Sequence, residues 1–215
     1  CDLHDKIQAD SSPLRAYPYR TVVRLVKGQM ADDENMRADA RANRDRILDV
    51  ARDALAADPQ ASLISIAKTA GVGQGTLYRH FPSREALVLG VYRKEIDALV
   101  QLAPKLLAKH KPLHAFRLWA ERLARYGRLK QGIADTLHAA LSDRDFQETY
   151  WPMLEAVRQL IKASEASGEI RSGANAEDVL TLLSGLWRIP QTPAGEAQTE
   201  RLLAFVFRGL GAKDA

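Results

Sequence analysis

Between residues 41 and 57 apolar side chains recur three and four apart, at Ile47, Leu48, Ala51, Ala54 and Leu55, which is the period of an amphipathic helix. Asp58-Pro59 ends it, because the residue before a proline is pushed out of helical space. A short helix is predicted over 63–70 with Ser62 as its cap. After the tight connection Gly71-Val72-Gly73, a second is predicted over 74–80 and is closed by Phe81-Pro82. Ser83 then caps a longer helix over 84–107, with Leu87, Val91, Leu99 and Leu102 on its buried side. Pro112 suits the first turn of the next helix, which carries Phe116, Trp119, Leu123 and Tyr126 on one face. Further helices are expected over 131–140, over 145–167, and from Asn175, whose spacing to Asp178 reads as a capping box, to about Ile189. A loop over 190–195 precedes the last helix, over 197–210. No strand alternation is found, so the expected fold is all-α with about nine helices.

Residues 1–35 carry no sustained periodicity. They hold Ser11-Ser12-Pro13, Tyr17-Pro18-Tyr19, a short apolar run at Val22-Val23 and an acidic cluster, Asp32-Asp33-Glu34, and they read as loop or disorder. The sequence opens on Cys1, whereas Met30 and Met36 lie just ahead of the first clear pattern. Residues 1–29 are therefore expected to be a non-native or wrongly included extension.

Composition narrows the class. The 215 residues are 46% hydrophobic and 27% charged, which argues for a globular chain with a real core. No apolar run approaches the 18 or so residues of a membrane span. A single cysteine excludes an internal disulfide and a cysteine-based zinc site, and points to a reducing cytoplasm. The net charge of +4 becomes informative when divided. Residues 36–94 hold ten basic and six acidic groups, residues 1–35 five and six, and residues 95–215 sixteen and fifteen. The surplus lies in one segment of about sixty residues, the electrostatic footprint of a nucleic-acid module. A solvated helix face with chance asymmetry accounts for the charge equally well.

The stretch from Ser65 to Phe81 bears on that choice. Two short helices meet at a three-residue turn. Ala67 is small enough for them to cross closely, and Gly71 can supply the positive φ a tight turn needs. Ile66, Val72, Leu77 and Phe81 are spaced to share a miniature core. This is the layout of a helix-turn-helix, whose second helix enters the major groove, although an ordinary helical hairpin has the same spacing.

The run Ile66-Ala67, Ala70-Gly71-Val72 and Gly75-Thr76-Leu77-Tyr78-Arg79-His80-Phe81-Pro82-Ser83-Arg84-Glu85-Ala86-Leu87 resembles the signature of the TetR family of bacterial transcriptional regulators, contiguously over about 41–91. Beyond it the chain is only generally similar, although Gly168-Glu169-Ile170-Arg171 followed by the Asn175 cap is also like many members. The resemblance implies a homodimer, a variable ligand pocket and ligand-controlled release from an operator. It divides the chain into the extension 1–35, a three-helix DNA-binding domain 36–91 and a helical ligand-binding and dimerisation domain 92–215. Gly73 stands where many relatives carry Ser or an acidic residue, which puts a cap or base contact there in doubt.

Within that frame Gln74 suits a bidentate bond to adenine and Arg79 one to guanine, while Thr76 suits a base edge or a thymine methyl. Tyr78 and His80, two apart, match the phosphate-facing donors of the family, and Arg84 would bind phosphate, fixing register rather than reading sequence. The bland alternatives are that the Tyr78 ring packs the small domain and that His80 caps a helix end.

In the second half Trp119, Tyr126, His138, Trp151 and Trp187 are the candidates to line a pocket for a largely apolar ligand, with core packing as the alternative for each. The last two helices carry more apolar surface than one core needs. Leu182, Leu186, Leu202, Phe205 and Val206 are accordingly expected in a dimer interface built as a four-helix bundle, with Gly185 permitting close approach. His110 and His114 have a helical metal spacing, but Pro112 and Lys111 lie between them, and no metal or cofactor is expected. No catalytic constellation rises above chance, and Gly71-x-Gly73-x-Gly75 follows no strand, so it is not a dinucleotide fingerprint. The expectation is a cytoplasmic homodimeric regulator and not an enzyme. It binds a pseudo-palindromic operator in double-stranded DNA and is most often a repressor, released by a small apolar effector. The alternatives are an activator or ligand-independent regulator of the same fold, or a helical interaction scaffold.

Overall fold

The structure, a computed structural model, describes residues 19–190 and 192–212, with side chains described outside 19–35 and 127–132. Nine α-helices and one 3-10 turn make up the described residues, and no strand occurs among them. They are α1 (Tyr19–Ala57), α2 (Leu63–Thr69), α3 (Gln74–His80), α4 (Arg84–Leu107), α5 (Pro112–Gly132), α6 (Ala134–Ala140), α7 (Asp143–Ala166), α8 (Ala176–Gly185), the 3-10 turn Leu186–Arg188, and α9 (Pro193–Gly209). Contacts divide the chain into two units, Cys1–Asn43 and Arg44–Ala215.

The helix starts are written in side chains. Ser62 Oγ accepts from the Ser65 amide, Ser83 Oγ from Ala86, Thr192 Oγ1 from Gly195, and Asn175 Oδ1 from Glu177 and Asp178. Each satisfies amide donors that the first turn leaves without an intrahelical acceptor. α7 opens two residues earlier than its apolar pattern suggested. Ser142 and Asp145 form a reciprocal capping box, with Ser142 Oγ accepting from the Asp145 amide and the Asp145 carboxylate accepting from the Ser142 amide. α9 likewise begins at Pro193, since a proline in the first turn lacks only a donor that had no partner. α6 is shorter than expected, because Gln131 and Gly132 still belong to α5.

One expectation is overturned at the N-terminus. Helix extends back to Tyr19, so 19–35 is helical rather than loop or disorder, while 1–18 lie outside the described residues. The reason is composition rather than periodicity. Between Pro18 and Pro59 no proline occurs and only Gly28 is a poor helix former of the glycine kind, and propensity without an apolar stripe leaves no period to read.

In the second unit α4 packs against α5, α6 and α7, and α7 packs against α5 and α8. One contiguous apolar core runs from Ile47, Ala51 and Leu55 on α1 through Leu77, Phe81 and Val88 to Phe116, Leu154, Leu160 and Leu183. Trp119 is fully buried and donates its indole N–H to the Leu99 carbonyl at 2.8 Å, tying α5 to α4. Phe116 meets Phe207 of α9 edge to face at 5.2 Å.

Candidate nucleic-acid interface and ligand cavity

α2 and α3 are held by a small set of apolar residues. Ile66 and Ala67 of α2, Leu77 of α3, and Phe81 just beyond it are all buried, and Val72 packs against them. Gly71 adopts φ +65°, the left-handed conformation that lets the chain reverse in three residues. The amide of Val72 donates to the Ala67 carbonyl across the turn at 3.0 Å. Behind Phe81, α4 comes so close that a Cβ on Gly90 would lie 2.9 Å from Phe81 Cε1 and 3.0 Å from Leu48 Cδ2. The Arg44 guanidinium covers the Phe81 ring at 4.6 Å.

Burying Leu77 decides what the rest of α3 presents. Gln74 and Tyr78, four apart, share one side of the helix, and Gly75 and Arg79 share the next; all four are exposed. Thr76 and His80 occupy the other edge and are half-buried. Five of the six residues expected at DNA are thus gathered on one short helix with polar ends outward. Gly73 caps α3 without any side-chain bond, and its absent Cβ faces open space.

Arg84 is engaged within its own chain. Its guanidinium donates to the carbonyl of Ala61 at 2.7 Å and to that of Pro59, bracing the α1–α2 loop against the start of α4. Two carbonyl acceptors along the same fork make it a positioning residue for the domain.

The expected pocket residues separate into two groups. Trp119 is core. Tyr126 is buried, with its ring 6.2 Å from Trp187 and 6.5 Å from Tyr92. Burial pushes its phenol well above the ordinary tyrosine range, and the neighbouring Tyr92 and Glu95 add to the effect. Its hydroxyl has no hydrogen-bond partner among the described residues. Trp151 and His138 are exposed and are not among the residues that line the cavity beside Trp187. Trp151 is 54% accessible and donates its indole N–H to Gln147 one turn earlier, because it shares a polar face of α7 with Gln147 and Glu155.

Around Trp187 lies a cavity of about 210 Å³. Its α4 and α7 walls are Tyr92, Ile96, Phe146, Thr149, Tyr150 and Met153. On the other side stand Leu180, Thr181 and Ser184 of α8. The Tyr92 hydroxyl lies 3.2 Å from Thr149 Oγ1, and Thr149 itself donates to the Asp145 carbonyl at 2.8 Å. Burial raises the Tyr92 phenol, against a smaller opposing effect of that hydrogen bond. Apart from Trp187 these wall residues escaped the sequence reading. Their signal was present as a stripe at 146, 149, 150 and 153, but such a stripe reads first as core.

Of the residues expected between copies, Leu182 and Phe205 are 60% and 61% exposed, and Leu202 and Val206 are half-buried. Leu186 is only 3% exposed, because the 3-10 turn rotates it into the core of its own chain. A Cβ on Gly185 would meet nothing within 4 Å. The His110 and His114 rings stand edge to face at 5.1 Å. No group of three or more possible metal ligands occurs among the described residues, and no described helix is long and apolar enough to cross a membrane.

Among the described residues the fold is all-helical, and the short α2–α3 pair presenting a polar helix has the architecture of a helix-turn-helix; comparison with known proteins gives the chain a family. The model "Bacterial regulatory proteins, tetR family" matches residues 47–91, and "Transcriptional regulator SbtR-like, C-terminal domain" matches 111–212. The crystal structure of a TetR transcriptional regulator from Streptomyces coelicolor is 38% identical with a TM-score of 0.70, covering 80% of this chain and 99% of that one. A TetR regulatory protein from Mycobacterium vanbaalenii is 30% identical with a TM-score of 0.67, covering 81% and 98%. An HTH-type transcriptional regulator of Staphylococcus aureus (strain USA300) is 37% identical over 67 residues, which is 30% of this chain and about a third (36%) of that protein's length. The chain belongs to the TetR family of transcriptional regulators, whose members bind DNA and form dimers.

Proposed function

We propose that the chain is a ligand-responsive homodimeric repressor, with 36–91 as its DNA-binding domain and 92–215 as its effector and dimerisation domain. It acts beside the chromosome in the cytoplasm. The observation that carries this reading is the outward row Gln74, Tyr78 and Arg79 on a helix anchored by buried Leu77. Gln74 and Arg79 read base edges in the major groove, and Thr76 adds a base-edge or methyl contact. Tyr78 and His80 bond phosphates. Two such helices meet successive half-sites of a pseudo-palindrome. The α8–α9 face with Leu182, Leu202, Phe205 and Val206 joins the copies, and the cavity beside Trp187 takes the effector. Effector binding releases DNA only through unequal affinity for the two arrangements of the dimer.

Fluorescence anisotropy of the purified chain on DNA flanking its own gene tests the site. Arg79→Ala and Gln74→Ala are each expected to lose about 1–3 kcal/mol of discrimination at one base pair per half-site. Unchanged base preference in both variants would remove α3 as the reading element.

A further inference from the structure

We infer that the cavity between α4, α7 and α8 takes a small neutral molecule, about one substituted aromatic ring in size, carrying a hydroxyl or N–H donor. The inference rests on the effector-responsive reading above and specifies the chemistry of that site. Size comes first. A cavity of about 150 Å³ accommodates a benzene, and drug-sized pockets begin near about 300 Å³. At about 210 Å³ the space here fits one ring with short substituents.

Charge comes second. None of the lining residues is an Asp, Glu, Lys, Arg or His. On these helices Arg93 is paired with Asp145, and Glu95 with Arg122 of α5. A carboxylate or ammonium entering the cavity would lose its water without gaining a counter-ion. The Tyr92 phenol, raised above its ordinary range by burial, stays uncharged at neutral pH.

The hydrogen bonds then fix the polarity of the ligand. Thr149 donates to the Asp145 carbonyl, so in its contact with Tyr92 it accepts and Tyr92 donates. The Tyr92 oxygen keeps its lone pairs as an acceptor, and Tyr92 is one of the residues that line the cavity. An acceptor of this kind calls for a ligand donor.

Calorimetry on the full chain with p-cresol, toluene, benzoate and benzylamine tests this, because the four share a ring and differ in charge and donor. p-Cresol is expected to bind tightest, with benzoate and benzylamine at least about tenfold weaker. Tyr92→Phe is expected to weaken p-cresol about fivefold and leave toluene unchanged. Equal binding of a charged ring, no binding of p-cresol at millimolar concentration, or equal loss of p-cresol and toluene in Tyr92→Phe would each overturn the assignment. DNA binding measured in the same buffers separates the two failures. A chain that binds its DNA but prefers benzoate refutes the ligand class alone, whereas a chain that binds no DNA refutes the regulator reading.

Discussion

The guanidinium of Arg84 donates to the carbonyls of Pro59 and Ala61, so the first residue of α4 closes the α1–α2 loop. Arg84→Ala leaves two backbone acceptors without their charged donor. It is expected to lower stability by about 1–3 kcal/mol, read as a lower denaturation midpoint. The slope of log affinity against log salt should stay the same, since no phosphate contact is lost; a slope reduced by about one unit would return Arg84 to the DNA. Gly90 gives a second test at this scale. Its missing Cβ admits the Phe81 ring edge and Leu48, and both are buried with little room to retreat. Gly90→Ala should cost about 1–3 kcal/mol by overpacking and weaken DNA binding through α3, whose C-terminal cap is Phe81. Sequence alone does not decide such cases. An arginine at a helix start has the same spacing whether its fork meets carbonyls or phosphates. For Trp151 the signal did exist: Gln147 and Glu155, four residues either side, marked its face of α7 as polar.

At the scale of elements, α4 carries three consecutive ionic residues directed to three different helices. Arg93 pairs with Asp145 and Glu148 of α7, Lys94 with Asp49 of α1 at 2.9 Å, and Glu95 with Arg122 of α5 at 3.0 Å and Arg52 of α1 at 3.6 Å. Glu95 is only 5% exposed, whereas both arginines reach solvent. Glu95→Gln is therefore expected to destabilise by about 1–3 kcal/mol, less than a fully enclosed pair would lose. Asp145 gives a pH test. Its carboxyl is held below the usual range, first by the Ser142 hydroxyl, then by the Ser142 amide and Arg93. A depressed folded-state pKa stabilises the fold above the unfolded value of about 3.9, and that stability is lost as pH falls through the folded value. Asp145→Asn should lower the melting temperature at pH 7, and the gap to the parent should close below about pH 4. The same capping box shows how legible the elements were. Caps and prolines placed α2, α3, α4 and α5 closely, because each is a local chemical device. The Ser142 start of α7 was equally local, a Ser followed three residues on by Asp, but the apolar stripe begins later and drew the boundary inward. The extension of α1 to Tyr19 had no stripe at all.

At the scale of the whole molecule, one chain leaves Leu182 and Phe205 more than half exposed on α8 and α9, with open space above Gly185. Exposed leucine and phenylalanine on the last two helices of a family that dimerises are surface a second copy would cover. Leu182→Glu combined with Phe205→Asp puts charges at positions more than half exposed in the single chain, so the helical circular dichroism should stay the same while the mass by light scattering falls from dimer to monomer. Leu186→Glu is the informative contrast. Leu186 faces the core of its own chain, so its replacement should lower the melting temperature before it changes the assembly, because the carboxylate is buried without a partner. The double variant keeps α3 intact, and each monomer still presents Gln74 and Arg79. What it loses is the second half-site, whose binding follows the first at the high effective concentration that linkage provides. Operator affinity should then fall about a hundredfold or more, while base preference within a half-site is retained. A double variant that remains dimeric would place the interface elsewhere on the helical domain. A monomer that keeps full affinity would show that one copy of α3 accounts for the binding.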